Sequence, residues 1–183
     1  MVETILATAP LRRRGRPAIL LASVAGIGLA MMAHRSTSRA PIAINDSASV
    51  PIGFWQRLPY RASHVTIGTV IGFRPNALAM SYVRPHMPEY VKRMTIQKYV
   101  VGLPGQTMCR KGRGFSIDGR LLGYAAMRDS DGNALPDWSG CHVLKPGEYA
   151  VFSDRIPNSF DSRYYGAVKS ADIRGIYKPL LTW

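Results

Sequence analysis

Acidic side chains are scarce in this 183-residue chain. Eleven Asp and Glu stand against twenty-four Lys and Arg, for a formal net charge of +13. The shortage excludes an acidic, self-solvating chain and points to an anionic neighbour, nucleic acid or a membrane surface. Nucleic acid is not expected, because no basic run interleaved with aromatics and no helix-turn-helix pattern accompanies the charge. Cysteine is scarcer still: Cys109 and Cys141 are the only two, and they lack the doubled C-x-x-C spacing of a zinc site. The histidines, His34, His64, His86 and His142, carry no motif around them, so a Ser-His-Asp triad has no local support. Repeats and low-complexity tracts are missing, and charged residues make only 19% of a chain that is 46% hydrophobic. That balance favours one packed domain over disorder. Seventeen Gly and thirteen Pro favour turns and short strands over long helices.

The one long apolar run lies near the N-terminus. Arg12, Arg13, Arg14 and Arg16 precede Pro17, and Ala18 to Ala33 then carries no charge. A basic stretch followed by such a run is an export signal or signal anchor, slightly short of the ~20 residues of a full span. The arginines place the N-terminus inside and the following domain outside. Residues 1–17 are read as a basic cytoplasmic region, 18–33 as a signal anchor or a cleaved signal peptide, 34–44 as a linker and 45–183 as the folded domain.

Two stretches of that domain carry chemistry. In Ser47-Ala48-Ser49-Val50-Pro51-Ile52-Gly53, Pro51 stiffens the chain and biases Val50 toward an extended form. Ser49 therefore sits before a bend, where its hydroxyl can be presented, with Ser47 two residues away. In the second stretch, Val91 to Leu103 is predicted as a strand closed by Pro104-Gly105. Its alternation puts Ile96, Lys98 and Val100 on one face. Hydrocarbon neighbours disfavour an ammonium. A lysine base needs a shift of ~2–3 units, roughly 3–4 kcal/mol, to be neutral near pH 7–8. The competing reading is a snorkelling lysine on an edge strand. Lys92, more solvated beside Glu89 and Arg93, is the rival base.

Further strands are predicted at Val65–Phe73, Tyr149–Phe152 (central) and Ile173–Tyr177. Asp118-Gly119 between Ser116-Ile117 and Arg120-Leu121 marks a two-residue hairpin. Asp129 to Asn133 is read as a turn, since its glycine is misplaced for a calcium loop and no glutamate closes it. The sum is a mainly β, coiled or barrel-like domain. In a reducing compartment the two cysteines are buried thiols. In an oxidising one they can close a loop of about 33 residues, contributing roughly 3–4 kcal/mol.

Three blocks in order resemble a known family. They are Asn45-x-Ser47-x-Ser49-x-Pro51-x-Gly53-Phe54-Trp55, Lys98-Tyr99-Val100-Val101-Gly102-Leu103-Pro104-Gly105, and Asn158-Ser159-Phe160-Asp161-Ser162-Arg163-Tyr164-Tyr165-Gly166. Together they are similar to the type I signal peptidase superfamily of serine–lysine proteases, with a fit nearest the TraF-type conjugal transfer peptidases. Ordinary signal peptidases have one more residue between serine and proline and usually an Asp where Gln106 follows Gly105. The resemblance implies a LexA-like, signal-peptidase β domain with one N-terminal hydrophobic helix. It implies Ser49 as nucleophile, Lys98 as general base, Ser47 as an oxyanion donor and Asp161 as the acid ordering the lysine region. Ser162 and Arg163 are implied as supports through hydrogen bonds and ion pairing. It implies no metal or nucleotide cofactor, an inner-membrane protein with a periplasmic catalytic domain (periplasmic outright if the signal is cleaved), and a disulfide between Cys109 and Cys141. The implied substrate is a pilin precursor, cut at its C-terminal side and cyclised in some systems. The alternatives are a general type I signal peptidase acting on exported proteins, a LexA-like self-cleaving regulator, disfavoured by the apolar run and the missing DNA-binding module, and a membrane-anchored basic binding protein.

Overall fold

The computed structural model describes residues 41–88, 91 and 95–183. The basic region, the apolar run, most of the linker and Lys92 lie outside the described residues. Among those described, no helix is long and apolar enough to cross a membrane.

Within 41–183, the described residues include eleven strands and the α-helices Ala77–His86 and Ser162–Tyr165. The strands are β1 (Ile42–Asn45), β2 (Gly53–Leu58), β3 (Val70–Phe73), β4 (Ile96–Gly102), β5 (Thr107–Lys111), β6 (Gly114–Ile117), β7 (Arg120–Tyr124), β8 (Gly140–Val143), β9 (Glu148–Phe152), β10 (Val168–Lys169) and β11 (Ile173–Thr182). Helix α1 is Ala77–His86 and α2 is Ser162–Tyr165. One antiparallel sheet runs β1-β2-β11-β3-β4-β9-β10 and a second runs β7-β6-β5-β8. The domain is mainly β, as expected.

Several expectations are corrected in detail. β1 occupies the end of the segment read as a linker. Val91 is helical and the strand carrying Lys98 begins only at Ile96. Of Val65–Phe73, only Val70–Phe73 is strand. The first part is a turn in which Thr69 N–H bonds the Thr66 carbonyl and Thr66 N–H bonds Thr69 Oγ1. Short side-chain bonds of this kind compete with a ladder. Helix α1 has no counterpart among the expectations. Asn76 caps it, its Oδ1 accepting from Ala79 N–H at 2.9 Å, and Ala77, Leu78, Ala79 and Met80 are good helix formers. Pro85 inside its last turn is the breaker that hides it.

The Asp118-Gly119 hairpin forms as predicted. Both residues have positive φ, 48° and 81°, as a primed turn requires. Asp129 closes the predicted turn by accepting from Asp131 and Asn133 N–H. Cys109 and Cys141 face each other in register on β5 and β8 and are disulfide-bonded.

Two apolar clusters hold the domain. Ile71, Phe73, Val100, Val151, Tyr164 and Ile176 pack across the large sheet with α2. Met108, Phe115, Ile117, Leu144, Ala150 and Phe152 join the small sheet to β9. Strand β9 thus contributes to both, which seats the residues at its C-terminal end firmly.

Candidate active site

The serine block leaves β1 as a turn in which Val50 N–H bonds the Ser47 carbonyl. Asn45, the last residue of β1, knots this turn. Its Nδ2 donates to the carbonyls of Ser47 (2.7 Å), Val50 (3.1 Å) and Pro51 (3.0 Å). The Trp55 indole N–H adds a second bond to the Pro51 carbonyl. Gly53 starts β2 with φ +146°, and a Cβ there would stand 2.1 Å from the Leu181 carbonyl oxygen. Only glycine lets β11 close against this turn.

Lys98 sits on β4 opposite Ile71 of β3, with β9 on the other side. β4 is therefore internal, which overturns the edge-strand reading of this lysine. Lys98 and Val100 are both buried, on one face as the alternation requires. The Lys98 ammonium donates to Ser49 Oγ at 2.5 Å. Lys98 is 4% exposed and Ser49 1%, so the contact is nearly dry. Burial pushes the Lys98 pKa down to about 8. The Asp161 carboxylate pulls it back up and the Arg163 guanidinium pushes it further down. The Ser47 hydroxyl lies 3.1 Å from Ser49 Oγ.

Asp161 is fully buried and caps α2, accepting from Arg163 N–H at 3.2 Å. Its carboxylate takes both Nε and Nη2 of Arg163 at 2.9 Å and the Ser153 N–H at 3.3 Å. Among the described residues its hydrogen bonds go to Arg163 and Ser153, and it acts on Lys98 only through space. Arg163 also donates to the Tyr124 and Ser159 carbonyls and lies over the Phe152 ring. Ser162 Oγ accepts from Val151 N–H of β9, and the Ser162 carbonyl accepts from the Trp138 indole. Ser162 therefore braces α2 against the sheet, away from the Ser49–Lys98 contact. Ser47, Ser49 and Lys98 thus meet directly, Asp161 and Arg163 act on Lys98 through space, and Ser162 holds β9 and Trp138.

Three contributors escape sequence reasoning. Asn45 heads the serine block but has no obvious role there. Ser153, just past β9, donates its hydroxyl proton to the Ser49 carbonyl at 2.6 Å. Arg155 donates from Nε to the Ala48 carbonyl at 3.2 Å. No sequence signal marks the last two, because their position depends on how β4 and β9 pair. Among the described residues no group of three or more His, Cys, Asp and Glu side chains could hold a metal.

Comparison with known proteins places the chain in a family. The family model described as "Signal peptidase, peptidase S26" matches residues 17–181. The "Probable conjugal transfer protein TraF" of Sinorhizobium fredii is 27% identical over 187 residues, covering 94% of this chain and 93% of the relative. A "Plasmid transfer protein TraF" of Escherichia coli is 27% identical over 171 residues, covering 86% and 93%. "Signal peptidase I V" of Bacillus subtilis is 29% identical over 89 residues, covering 43% and 53%. The likeness to transfer proteins thus runs along nearly the whole chain, and the likeness to that signal peptidase along less than half of it. The chain belongs to the signal peptidase family, peptidase S26, a family of serine peptidases, and is of the TraF type within it.

Proposed function

We propose that this protein is a membrane-tethered serine endopeptidase that matures a pilin precursor for conjugation, with Ser49 as nucleophile and Lys98 as general base. The observation that carries the reading is the buried Ser49–Lys98 contact, with an amine whose pKa is lowered to about 8. The substrate class rests on the two relatives named as transfer proteins. The tether rests on the uncharged run 18–33 behind four arginines.

The neutral Lys98 amine takes the Ser49 hydroxyl proton as Oγ attacks the scissile carbonyl. The Ser49 N–H and the Ser47 hydroxyl meet the oxyanion. Collapse breaks the C–N bond, and the Lys98 ammonium returns its proton to the leaving amine. Water then attacks the Ser49 ester, passes a proton to Lys98, and releases the acid and the free serine. A substrate amine in place of water closes the product into a ring, ~18 Da lighter than the linear form, since one water is not added.

The test is co-expression with a conjugative pilin precursor, and mass spectrometry of the product. Wild type processes the precursor, Ser49→Ala and Lys98→Ala do not, and Lys92→Ala does. Processing by Ser49→Ala would sink the reading. An ordinary secretory precursor assayed alongside separates a dedicated transfer peptidase, which leaves it uncut, from a general signal peptidase.

A further inference from the structure

The mechanism needs the Ser49 N–H aimed at a developing oxyanion, and the turn that carries Ser49 does not aim it. That turn's own hydrogen bond is made one residue later, from Val50 N–H to the Ser47 carbonyl at 3.4 Å, a long one. Asn45 holds the flanking Ser47, Val50 and Pro51 carbonyls, and the two carbonyls between, of Ala48 and Ser49, are held by the segment after β9. Arg155 Nε donates to the Ala48 carbonyl at 3.2 Å, and Ser153 Oγ donates to the Ser49 carbonyl at 2.6 Å. The segment is itself braced. Arg155 N–H bonds Ser153 Oγ at 3.3 Å, and Ser153 N–H bonds the Asp161 carboxylate at 3.3 Å.

A planar trans peptide ties these facts to the chemistry. The Ala48 carbonyl and the Ser49 N–H belong to one peptide unit, so they point in opposite directions. Holding the carbonyl toward Arg155 turns the N–H away from Arg155. Holding the next carbonyl with Ser153 stops the following peptide from rotating and carrying the first with it. We propose that Arg155 and Ser153 are positioning residues that lock the Ala48–Ser49 and Ser49–Val50 peptides, and so preset the oxyanion donor at Ser49. Asp161, on this account, reaches the nucleophile through Ser153 as well as reaching the base through space.

The inference rests on the serine–lysine reading above, and its test separates the two. The full-length protein is assayed in detergent on a precursor peptide, with Ser49→Ala as control. Arg155→Ala and Ser153→Ala are expected to lower kcat about tenfold or more with KM nearly unchanged and the midpoint of the pH–rate profile in place. Binding of a peptide aldehyde, which adds Ser49 Oγ across its carbonyl and leaves an oxygen at the oxyanion position, should weaken in step with kcat. Arg155→Lys, which keeps a donor, should recover part of the loss. Arg155 is exposed, so its variants remain informative even if Ser153→Ala lowers expression. An inactive Ser49→Ala together with wild-type kcat in Arg155→Ala would overturn the clasp and leave the peptidase reading intact. So would a loss confined to KM, or one that Arg155→Lys fails to relieve and that tracks thermal stability alone.

Discussion

Asp161 and Arg163 bind each other through two parallel hydrogen bonds of 2.9 Å, deep in the domain beside Lys98. The pairing is chemically apt. The Asp161 carboxylate raises the Lys98 pKa, and the Arg163 guanidinium offsets part of that effect. Stability and basicity are therefore linked at this pair.

Asp161→Asn is expected to strand a buried guanidinium, at a cost of about 3–5 kcal/mol. Urea denaturation measures it. The same change removes the influence that raises the Lys98 pKa. In whatever enzyme remains folded, the acid limb of the pH–rate profile should move to lower pH.

The wild-type profile itself should show an acid limb centred near pH 8, the value to which burial lowers Lys98. Below it the rate falls about tenfold per pH unit as the amine protonates. A plot of kcat/KM against pH reports this group in the free enzyme. A profile flat from pH 6 to 9 would contradict Lys98 as base.

Lys98→Met should stabilise the domain at pH 7 while abolishing activity. The folded pKa is about 8 against an ordinary 10.5. Between those values the unfolded chain binds the extra proton, so wild-type stability rises with pH across that window. The penalty for burying the ammonium is full below pH 8 and gone above 10.5, with a ceiling of roughly 3 kcal/mol. The advantage of Met over Lys in thermal melts should therefore shrink from pH 7 toward pH 10.

Replacing Cys109 and Cys141 together by Ser should cost about 3 kcal/mol of stability with little change in kcat. The bridge lies between β5 and β8 of the small sheet, outside the hydrogen bonds that hold Ser49 and Lys98. Chemical denaturation and a peptide assay on the same preparation separate the two effects.

The residues proposed to carry chemistry are legible where local pattern and ordered blocks coincide. Alternation around Lys98 announced an apolar setting, and the Asp118-Gly119 pair announced its hairpin. What stayed hidden depends on partners distant in sequence. Nothing near Lys98 says that β4 is internal, since β3 and β9 make it so. Nothing near Ser153 says that its hydroxyl meets a carbonyl 104 residues away. Helix α1 was masked by Pro85, whose usual meaning as a breaker fails in a last turn. Asp161 was legible as important, but its partners, Arg163 and Ser153 rather than Lys98, follow from the capping geometry of α2.

The place of β11 in the sheet makes it the join between the two halves of the site. β2 carries the serine block's anchor and β3 carries β4 with its lysine, yet the two do not pair. β11, the most C-terminal of the described strands, lies between them, with Ile173–Tyr177 against β3 and Ile176–Thr182 against β2. Without that strand, the two sides of the site have no ladder joining them. Such non-local closure is slow, so the alignment of the serine side with the lysine side waits on the pairing of a strand more than seventy residues from β4.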